Sequence, residues 1–356
     1  MLDKKCVTIT LTEQCNLQCT YCYEKHKNVR SISFERAKEI LDYEFQVDDG
    51  MNELEIDFFG GEPFFAFETM RKLVEYIKTS AYTKKFVFFV STNGTLVHGD
   101  IQKWLEQNIG YIWCGLSLDG TKDSHNLNRS NSFDKIDLDF FAKTYPGQDV
   151  KMTIAENTLK KLCENVIFCH RKGFNVNCNL AYDIDWSNSV NEQELESQLM
   201  DLIDFYLKNP IIKPCSMLSC SIERIQTREK SRYCGAGIEM RTYDVEGNVY
   251  PCHFFMPISA GDKALKLGEI TFYENPDTER WGECYTCDYF NICPNCYGAN
   301  YVATGDIYKK DLDMCRLFKI ILRANAYFVA HRIERGILHQ TELSQETIDA
   351  IFKILK

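Results

Sequence analysis

The stretch "CVTITLTEQCNLQCTYC" (6–22) joins a short β-rich run to three closely spaced cysteines. Cys15, Cys19 and Cys22 follow the first predicted strand and therefore lie at its carboxyl end, where α/β sheets bind their ligands. A structural zinc site normally takes four protein ligands, commonly from two C-x₂-C pairs. Three thiolates at C-x₃-C-x₂-C instead favour a cubane [4Fe–4S] cluster with one iron left open. An incomplete zinc site or simply buried thiols is the alternative interpretation.

Short β-rich runs alternate with helical patterns up to about residue 205. The predicted strands are 6–11, 53–59, 85–92, 111–118, 149–154 and 175–182, and the predicted helices are 34–46, 67–80, 100–108, 133–144, 158–173 and 190–209. Six strands, each followed by a helix, predict parallel strands with right-handed crossovers. Because a closed barrel needs eight such units, we predict an α/β fold with a partial (β/α)₆, TIM-like barrel, or else an open sheet.

Beyond about residue 210 the sequence changes character, with nine cysteines between residues 214 and 316 and few long periodic segments. A loop-rich region with a modest core commonly needs metal ions to hold it together. The predicted organisation is a barrel over 1–209, a bridging segment over 210–232, a cysteine-rich domain over 233–316 and a C-terminal helical tail over 317–356. The helices of that end of the chain are predicted at about 312–337 and 344–355.

Composition excludes several classes of protein. A formal charge of −10 argues against a nucleic-acid partner, which would favour a concentrated basic surface. The sequence start lacks the apolar run of a signal peptide, and no segment is apolar enough for a membrane span, so the cytoplasm is the expected location. In that reducing compartment, seventeen cysteines, an odd number, favour metal ligation over a disulfide framework.

The spacing of the first three cysteines, with Tyr21 before the last of them, resembles the signature of the radical S-adenosylmethionine (SAM) superfamily. The resemblance implies that the open iron chelates the amino and carboxylate groups of the methionine part of SAM. It also implies an external one-electron reductant, flavodoxin or ferredoxin. An electron from the cluster would cleave the sulfonium and yield a 5′-deoxyadenosyl radical, which abstracts hydrogen from the substrate.

The motif "FFGGEPFF" (58–65) follows the second predicted strand, as the GGEP motif of that family does. Gly60 and Gly61 would let backbone carbonyls approach the cofactor ammonium, and Glu62 would add an acceptor. GGEP on its own is a common turn, so its weight comes from its position after a strand.

Further strand ends carry polar residues that match the family, in "VSTNGTL" (90–96) and "SLDGTKDSHNLNR" (117–129). The resemblance implies that Ser117 and Arg129 hold the ribose and the carboxylate of the cofactor. The full predicted cofactor-binding set is Tyr21, Gly60, Gly61, Glu62, Ser91, Asn93, Ser117, Asp119, Arg129 and Leu180. The alternatives are ordinary turns for the first segment and for Asp119, a surface charge for Arg129 and a core position for Leu180.

The second cysteine set has the spacing C-x₁₂-G-x₄-C and then C-x₂-C-x₅-C-x₂-C, with one more cysteine beyond. It resembles the SPASM extension, which holds two auxiliary [4Fe–4S] clusters, although the usual last spacing of that run is three residues. The resemblance assigns the farther cluster to Cys284, Cys287, Cys293 and Cys315, and the nearer one to Cys234, Cys252 and Cys296, with Cys220, Cys215 or a substrate thiolate as the fourth ligand. Zinc is the alternative for the two C-x₂-C pairs.

Enzymes with a SPASM extension mostly act on peptides, so the resemblance implies an anaerobic oxidoreductase that matures a ribosomally made peptide. It would install a C–C or thioether crosslink or a related oxidation, and the auxiliary clusters would accept the remaining electron. The chain starts only a few residues before its first predicted strand. Leader recognition is therefore expected from a separate protein or from another surface of this chain.

Two other functions compete with this interpretation. An anaerobic sulfatase maturase, which oxidises Ser or Cys to formylglycine, would carry an Asp where this chain has His253, and a closer cysteine pair than Cys220 and Cys234. His253 is a candidate base, since imidazole titrates near neutrality, or a residue that supports the adjacent cluster. The third function is a non-catalytic iron–sulfur electron carrier, against which the matching strand-end motifs argue.

Overall fold

The computed structural model, which describes residues 4–182 and 184–356, is a mixed α/β structure. Its strands are β1 (Lys4–Thr12), β2 (Glu53–Gly60), β3 (Lys85–Thr92), β4 (Ile112–Leu116), β5 (Asp149–Ile154), β6 (Asn175–Leu180), β7 (Met240–Tyr243) and β8 (Val249–Tyr250). Its α-helices are α1 (Phe34–Gln46), α2 (Phe67–Thr79), α3 (Asp100–Gln107), α4 (Lys122–Asn128), α5 (Leu138–Thr144), α6 (Glu156–Leu159), α7 (Leu162–Arg171), α8 (Val190–Lys208), α9 (Pro257–Ala260), α10 (Thr278–Trp281), α11 (Glu283–Thr286), α12 (Tyr297–Thr304), α13 (Leu312–Glu334) and α14 (Gln345–Leu355). The predicted α/β class is confirmed.

Two predicted helices are interrupted in the structure. The predicted helix 133–144 is a short 3₁₀ turn, Phe133–Lys135, followed by α5, because Asp137 begins a new helix by accepting the Phe140 N–H at 3.0 Å. The predicted helix 158–173 likewise divides into α6 and α7. No helix in the described residues combines the length and apolar character of a membrane span.

The chain forms two compact units, of which the first comprises Met1–Leu118, His125–Gln148 and Gly235–Phe272. Its sheet has the strand order β4-β3-β2-β1-β7-β8. The first four strands and β7 are parallel, and β8 returns antiparallel to β7. β1 is buried on both faces over most of its length, as expected for an interior parallel strand. The loop after this central strand carries the first cysteine set.

The second unit comprises Asp119–Ser124, Asp149–Cys234 and Tyr273–Lys356. Its β5 and β6 form a separate two-stranded parallel sheet, so hydrogen bonding divides the six predicted barrel strands into a group of four and a pair. The long helix α13 packs against α8 and α14. Apolar residues of α13, α14 and the 3₁₀ turn Ile222–Gln226 form one core there.

Candidate active site

The loop after β1, residues 13–26, is called the cysteine loop here because it carries Cys15, Cys19 and Cys22. All three side chains are partly buried. The Leu17 N–H donates to Cys15 Sγ at 3.4 Å, and Lys27 Nζ donates to Cys22 Sγ at 3.1 Å. Such donors stabilise a thiolate, which is the form that ligates iron, so the donor set fits a thiolate-bound cluster. The sequence analysis did not single out Lys27.

These thiols do not converge on one point. Across residues 4–182 and 184–356, no three His, Cys, Asp or Glu side chains approach closely enough to hold a single metal ion. A cube of four irons holds its thiolates farther apart than one ion does. Burial raises the pKa of Cys15 to about 11, against the opposing effects of the Leu17 N–H and the Lys27 charge. Metal binding there must therefore displace a proton.

The glycine pair at the end of β2 packs directly against the start of the cysteine loop. A Cβ on Gly60, whose φ is +137°, would lie 2.0 Å from the Thr12 carbonyl oxygen, and one on Gly61 would lie 2.5 Å from that of Gln14. The Gly61 N–H donates to Thr12 O at 3.1 Å, and the Glu62 N–H donates to Gln14 O at 2.8 Å. The absence of side chains thus allows the first attachment of the cysteine loop to a neighbouring strand.

Glu62 is a buried carboxyl group with an exposed fraction of 1%. It accepts hydrogen bonds from Thr92 Oγ1 and the Asn93 N–H, both at 2.8 Å, and from the Phe64 N–H at 3.3 Å. Burial raises its pKa to about 7 although these donors lower it. These three donors are uncharged, so the carboxylate can pair with the positive charge of a ligand.

Asn93 belongs to a side-chain network that reaches into the cysteine loop. Its amide nitrogen donates to Asn16 Oδ1 at 2.9 Å, and Asn16 Nδ2 donates to Thr95 Oγ1 at 2.8 Å. Thr95 Oγ1 closes the network by donating to Asn93 Oδ1 at 2.6 Å. This is the second attachment of the loop. Asn16 was missed, although an asparagine directly after the first cysteine was a visible signal.

Replacing Asn93 by alanine is expected to lower the free energy of unfolding by about 1–3 kcal/mol, because it leaves the N–H and the hydroxyl of buried Thr95 without their acceptor. Asn28→Ala is the matched control, since the side chain of exposed Asn28 accepts the N–H of the neighbouring Val29. Chemical denaturation of the metal-free chain measures both values. Equal losses in the two variants would contradict the attachment.

A third attachment holds the later part of the loop. The Thr20 N–H donates to Asn128 O at 2.9 Å, and Thr20 Oγ1 donates to Asn128 Oδ1 at 3.0 Å. Next to it, the guanidinium carbon of buried Arg129 lies 5.3 Å from the centre of the Tyr21 ring. The structure therefore brings the predicted residues Tyr21 and Arg129 together with the loop, and Arg129 is not an exposed surface charge.

The remaining predicted cofactor residues lie at strand ends in both units. In the first, Ser91 lies near the end of β3, and the Ser117 N–H donates to Thr92 O at 2.9 Å just beyond β4. In the second, buried Asp119 accepts the Thr153 N–H at 3.1 Å, and buried Leu180 ends β6. Their roles in cofactor binding stay predictions.

His253 lies in an aromatic group rather than in an open polar pocket. Its ring centre is 5.3 Å from that of Tyr23 in the cysteine loop, and 5.0 Å from those of Phe59 and Phe254. Aromatic packing of this kind fixes the orientation of an imidazole. The predicted catalytic base is therefore a partly buried residue whose ring is held by its neighbours.

The second unit brings together the four cysteines predicted to hold the farther cluster. Burial raises the pKa of Cys284 and of Cys293, and the negative charges of Cys315 and Cys287 raise both further. These four thiols therefore lie within electrostatic reach of one another. Their assignment to a cluster stays a prediction.

The cysteines predicted to hold the nearer cluster belong to both units. In the second, burial and the charge of Cys234 raise the pKa of Cys296 to about 11. Cys296 and Cys220 line a cavity of about 670 Å³ in that unit, together with Tyr182. In the first, Cys252 is buried two residues after the end of β8. Cys215 does not line this cavity, so Cys220 is the better placed of the two candidates for the fourth ligand.

Comparison with known proteins identifies relatives of this chain. Residues 9–184 match the family model of the Radical SAM superfamily. The chain is 28% identical over 322 residues to a cysteine-type anaerobic sulfatase-maturating enzyme of Clostridium perfringens, which covers 78% of this chain and 84% of that enzyme.

Two solved structures share the fold. One is native anSMEcpe with bound AdoMet and the Cp18Cys peptide, with a TM-score of 0.71 and 20% identity over 94% of this chain and all of that one. The other is Streptococcus suis SuiB bound to its precursor peptide SuiA, with a TM-score of 0.60 and 15% identity over 87% of this chain and 76% of that one.

Proposed function

We propose that this chain is a radical SAM enzyme of the SPASM type and that it modifies a side chain of a peptide, installing a C–C or thioether crosslink or a related oxidation. The observation that carries the cofactor half of the proposal is Glu62, a buried carboxyl group beside the attachment points of the cysteine loop. The substrate half is supported by the relatives, since anSMEcpe and SuiB are both described with bound peptides.

The residues of the first unit divide the work of holding the cofactor. Cys15, Cys19 and Cys22 would ligate the [4Fe–4S] cluster, and Glu62 would accept hydrogen bonds from the ammonium group of SAM. Arg129, beside Tyr21, would hold the carboxylate. When bound, SAM and the cluster supply hydrogen-atom abstraction, while the surrounding protein orients the substrate and excludes water.

Formylglycine formation is the second candidate, favoured by the similarity to the Clostridium perfringens enzyme. The arrangement around His253 argues against it. Sulfatase maturases are expected to carry an Asp there, whereas this chain has an imidazole enclosed by Tyr23, Phe59 and Phe254. A ring packed in this way supports a structural role more than that of a freely accessible base.

The test is an anaerobic assay of the reconstituted, reduced full-length chain with SAM. We expect 5′-deoxyadenosine and, with a suitable peptide, a product lighter by two hydrogen atoms that carries a new bond between two side chains in its fragmentation spectrum. Peptides containing the Cys or Ser of a sulfatase site form the second arm. If an aldehyde product forms in the second arm and no crosslink forms in the first, formylglycine formation replaces crosslinking as the proposed activity. If 5′-deoxyadenosine forms in neither arm, both proposed activities are overturned.

SAM affinity is expected to weaken about tenfold between about pH 8 and about pH 6. Because burial raises the pKa of Glu62 to about 7, its carboxyl group is protonated below that pH and cannot pair with an ammonium group. Equilibrium dialysis of labelled SAM against the reconstituted chain measures this change. Glu62→Gln should bind weakly at both pH values, and a wild-type affinity that is constant or rises below pH 7 would exclude the role.

The same raised pKa has the opposite effect on the ligand-free chain. Between the ordinary value of 4.5 and about 7, the folded state keeps a proton that the unfolded chain releases. The contribution of Glu62 to stability therefore falls as the pH rises through this range, and Glu62→Gln removes that fall. This difference in sign separates cofactor binding from a general effect of pH on folding.

A further inference from the structure

Lys310 is a lysine buried in the second unit, with an exposed fraction of 8%. Its Nζ lies 2.7 Å from Cys293 Sγ and 3.5 Å from the Pro294 carbonyl oxygen, and 5.7 Å from the centre of the Phe318 ring. None of the carboxylates in the described residues forms an ion pair with it. Its ammonium group therefore has a thiol sulfur as its closest polar partner.

A buried ammonium group is costly unless a negative charge compensates it. Lysine is rarely buried without such a partner. A neutral thiol and one carbonyl do not supply the charge, whereas a thiolate bound to iron does. The position of Lys310 thus calls for a negatively charged group at Cys293.

Lys310 also lies within electrostatic reach of both predicted auxiliary groups. Besides its contact with Cys293 Sγ, Lys310 lines the cavity of about 670 Å³ in the second unit that Cys296 also lines. Cys284 and Cys293 belong to the predicted farther cluster, and Cys296 to the nearer one. One buried cation therefore faces thiols of both sets.

We propose that the Lys310 ammonium is the fixed counter-charge of the auxiliary clusters and raises the reduction potential of the cluster held by Cys293. The inference rests on the proposed function, since it takes Cys293 to be a cluster ligand. It adds a positioning and tuning residue that the cysteine spacing does not contain.

The sign of the effect follows from charge. Reduction adds one electron to a cluster, and a nearby positive charge stabilises the more negative reduced state. Hydrogen bonds to the ligating sulfur act in the same direction, and net charge and such bonds are among the factors that set cluster potentials. A neutral side chain at position 310 should therefore make the cluster harder to reduce.

The test is an anaerobic redox titration of full-length, reconstituted protein, followed by electron paramagnetic resonance. Cys15, Cys19 and Cys22 are replaced by alanine in the parent, so that the remaining signals arise from auxiliary clusters. Lys310→Met removes the charge and Lys310→Arg keeps it. Lys309→Met is the matched control, because it removes the same charge from the exposed neighbouring residue.

We expect Lys310→Met to shift one auxiliary potential to a more negative value, with Lys310→Arg and Lys309→Met close to the parent. If Lys310→Met loses the iron of one auxiliary cluster while Lys310→Arg and Lys309→Met keep it, that result also supports a counter-charge role for Lys310. Equal potentials in parent and Lys310→Met, or equal loss of iron from Lys310→Met and Lys310→Arg, would overturn the inference. A parent without any auxiliary signal would overturn the proposed clusters as well, so the two failures are distinguishable.

Discussion

Replacing Cys15, Cys19 and Cys22 together by alanine is expected to abolish 5′-deoxyadenosine formation while the auxiliary iron remains bound. The three thiols share one loop of the first unit, whereas the cysteines of the predicted farther cluster all lie in the second. With three four-iron clusters in the wild type, iron should fall from about twelve to about eight atoms per chain. Product analysis by chromatography and iron determination on the same sample measure both quantities.

The matched control for that variant is Cys163→Ala. Cys163 is partly buried like the loop cysteines but lies on α7, outside all three predicted ligand sets. It should keep full iron and full product formation. Complete loss of iron from the triple variant would contradict separate sites for the clusters. Formation of 5′-deoxyadenosine by the triple variant would contradict a catalytic role of the cysteine loop.

Gly60→Ala is expected to have the second largest effect. Alanine at this φ costs about 1–3 kcal/mol of stability. Its methyl group would also displace the Thr12 carbonyl, on which the start of the cysteine loop depends. A shift of that loop by about 1 Å should reduce the rate of 5′-deoxyadenosine formation about 100-fold.

Gly50→Ala is the control that separates the effect of backbone strain at a positive φ from the effect of displacing the Thr12 carbonyl. Gly50 also has a positive φ, +77°, but a Cβ there meets no atom within 4 Å. This control should lose stability without losing activity. Chemical denaturation and rate measurements on both variants decide the matter: an activity loss in Gly60→Ala no greater than in Gly50→Ala would contradict the packing role.

The strands of the first 180 residues were predictable because their apolar runs are long and end in turn residues. β2 alternates buried apolar with more exposed polar positions, and the structure places it within one residue of the prediction. β7 and β8 were not predicted. They are only four and two residues long, and β7 is ordered by pairing with the distant β1. Such pairing leaves no periodic signal in a short sequence.

α4 was missed for a related physical reason. Its sequence, KDSHNLN, has no apolar stripe of the kind that predicts a helix. The division of the 133–144 helix was predictable in principle, since Asp137 is a strong cap residue, but the apolar pattern continues across it. Tertiary packing and capping decide such segments.

In the candidate site, the residues predicted to bind the cofactor could be found from sequence motifs. The residues that position the cysteines or the cysteine loop could not. Glu62 and Arg129 belong to recognisable motifs. In the structure, Glu62 lies at the first attachment of the cysteine loop, and Arg129 lies beside the Tyr21 ring of that loop. Asn16, Lys27 and Lys310 act through contacts with sulfur or with other loops. Their significance depends on contacts in the folded chain, which cysteine spacing alone does not encode.

The three attachments of the cysteine loop have a consequence for how the metal centre is assembled. Fixing the backbone of a mobile residue costs about 1–2 kcal/mol, and a free loop would lose that entropy when it closes around iron. Here, hydrogen bonds at Gln14, Asn16 and Thr20 order the loop during folding. The metal-free chain thus offers a preorganised receptor, whose amides should already resist hydrogen exchange, so that less of the binding free energy is consumed in ordering the polypeptide.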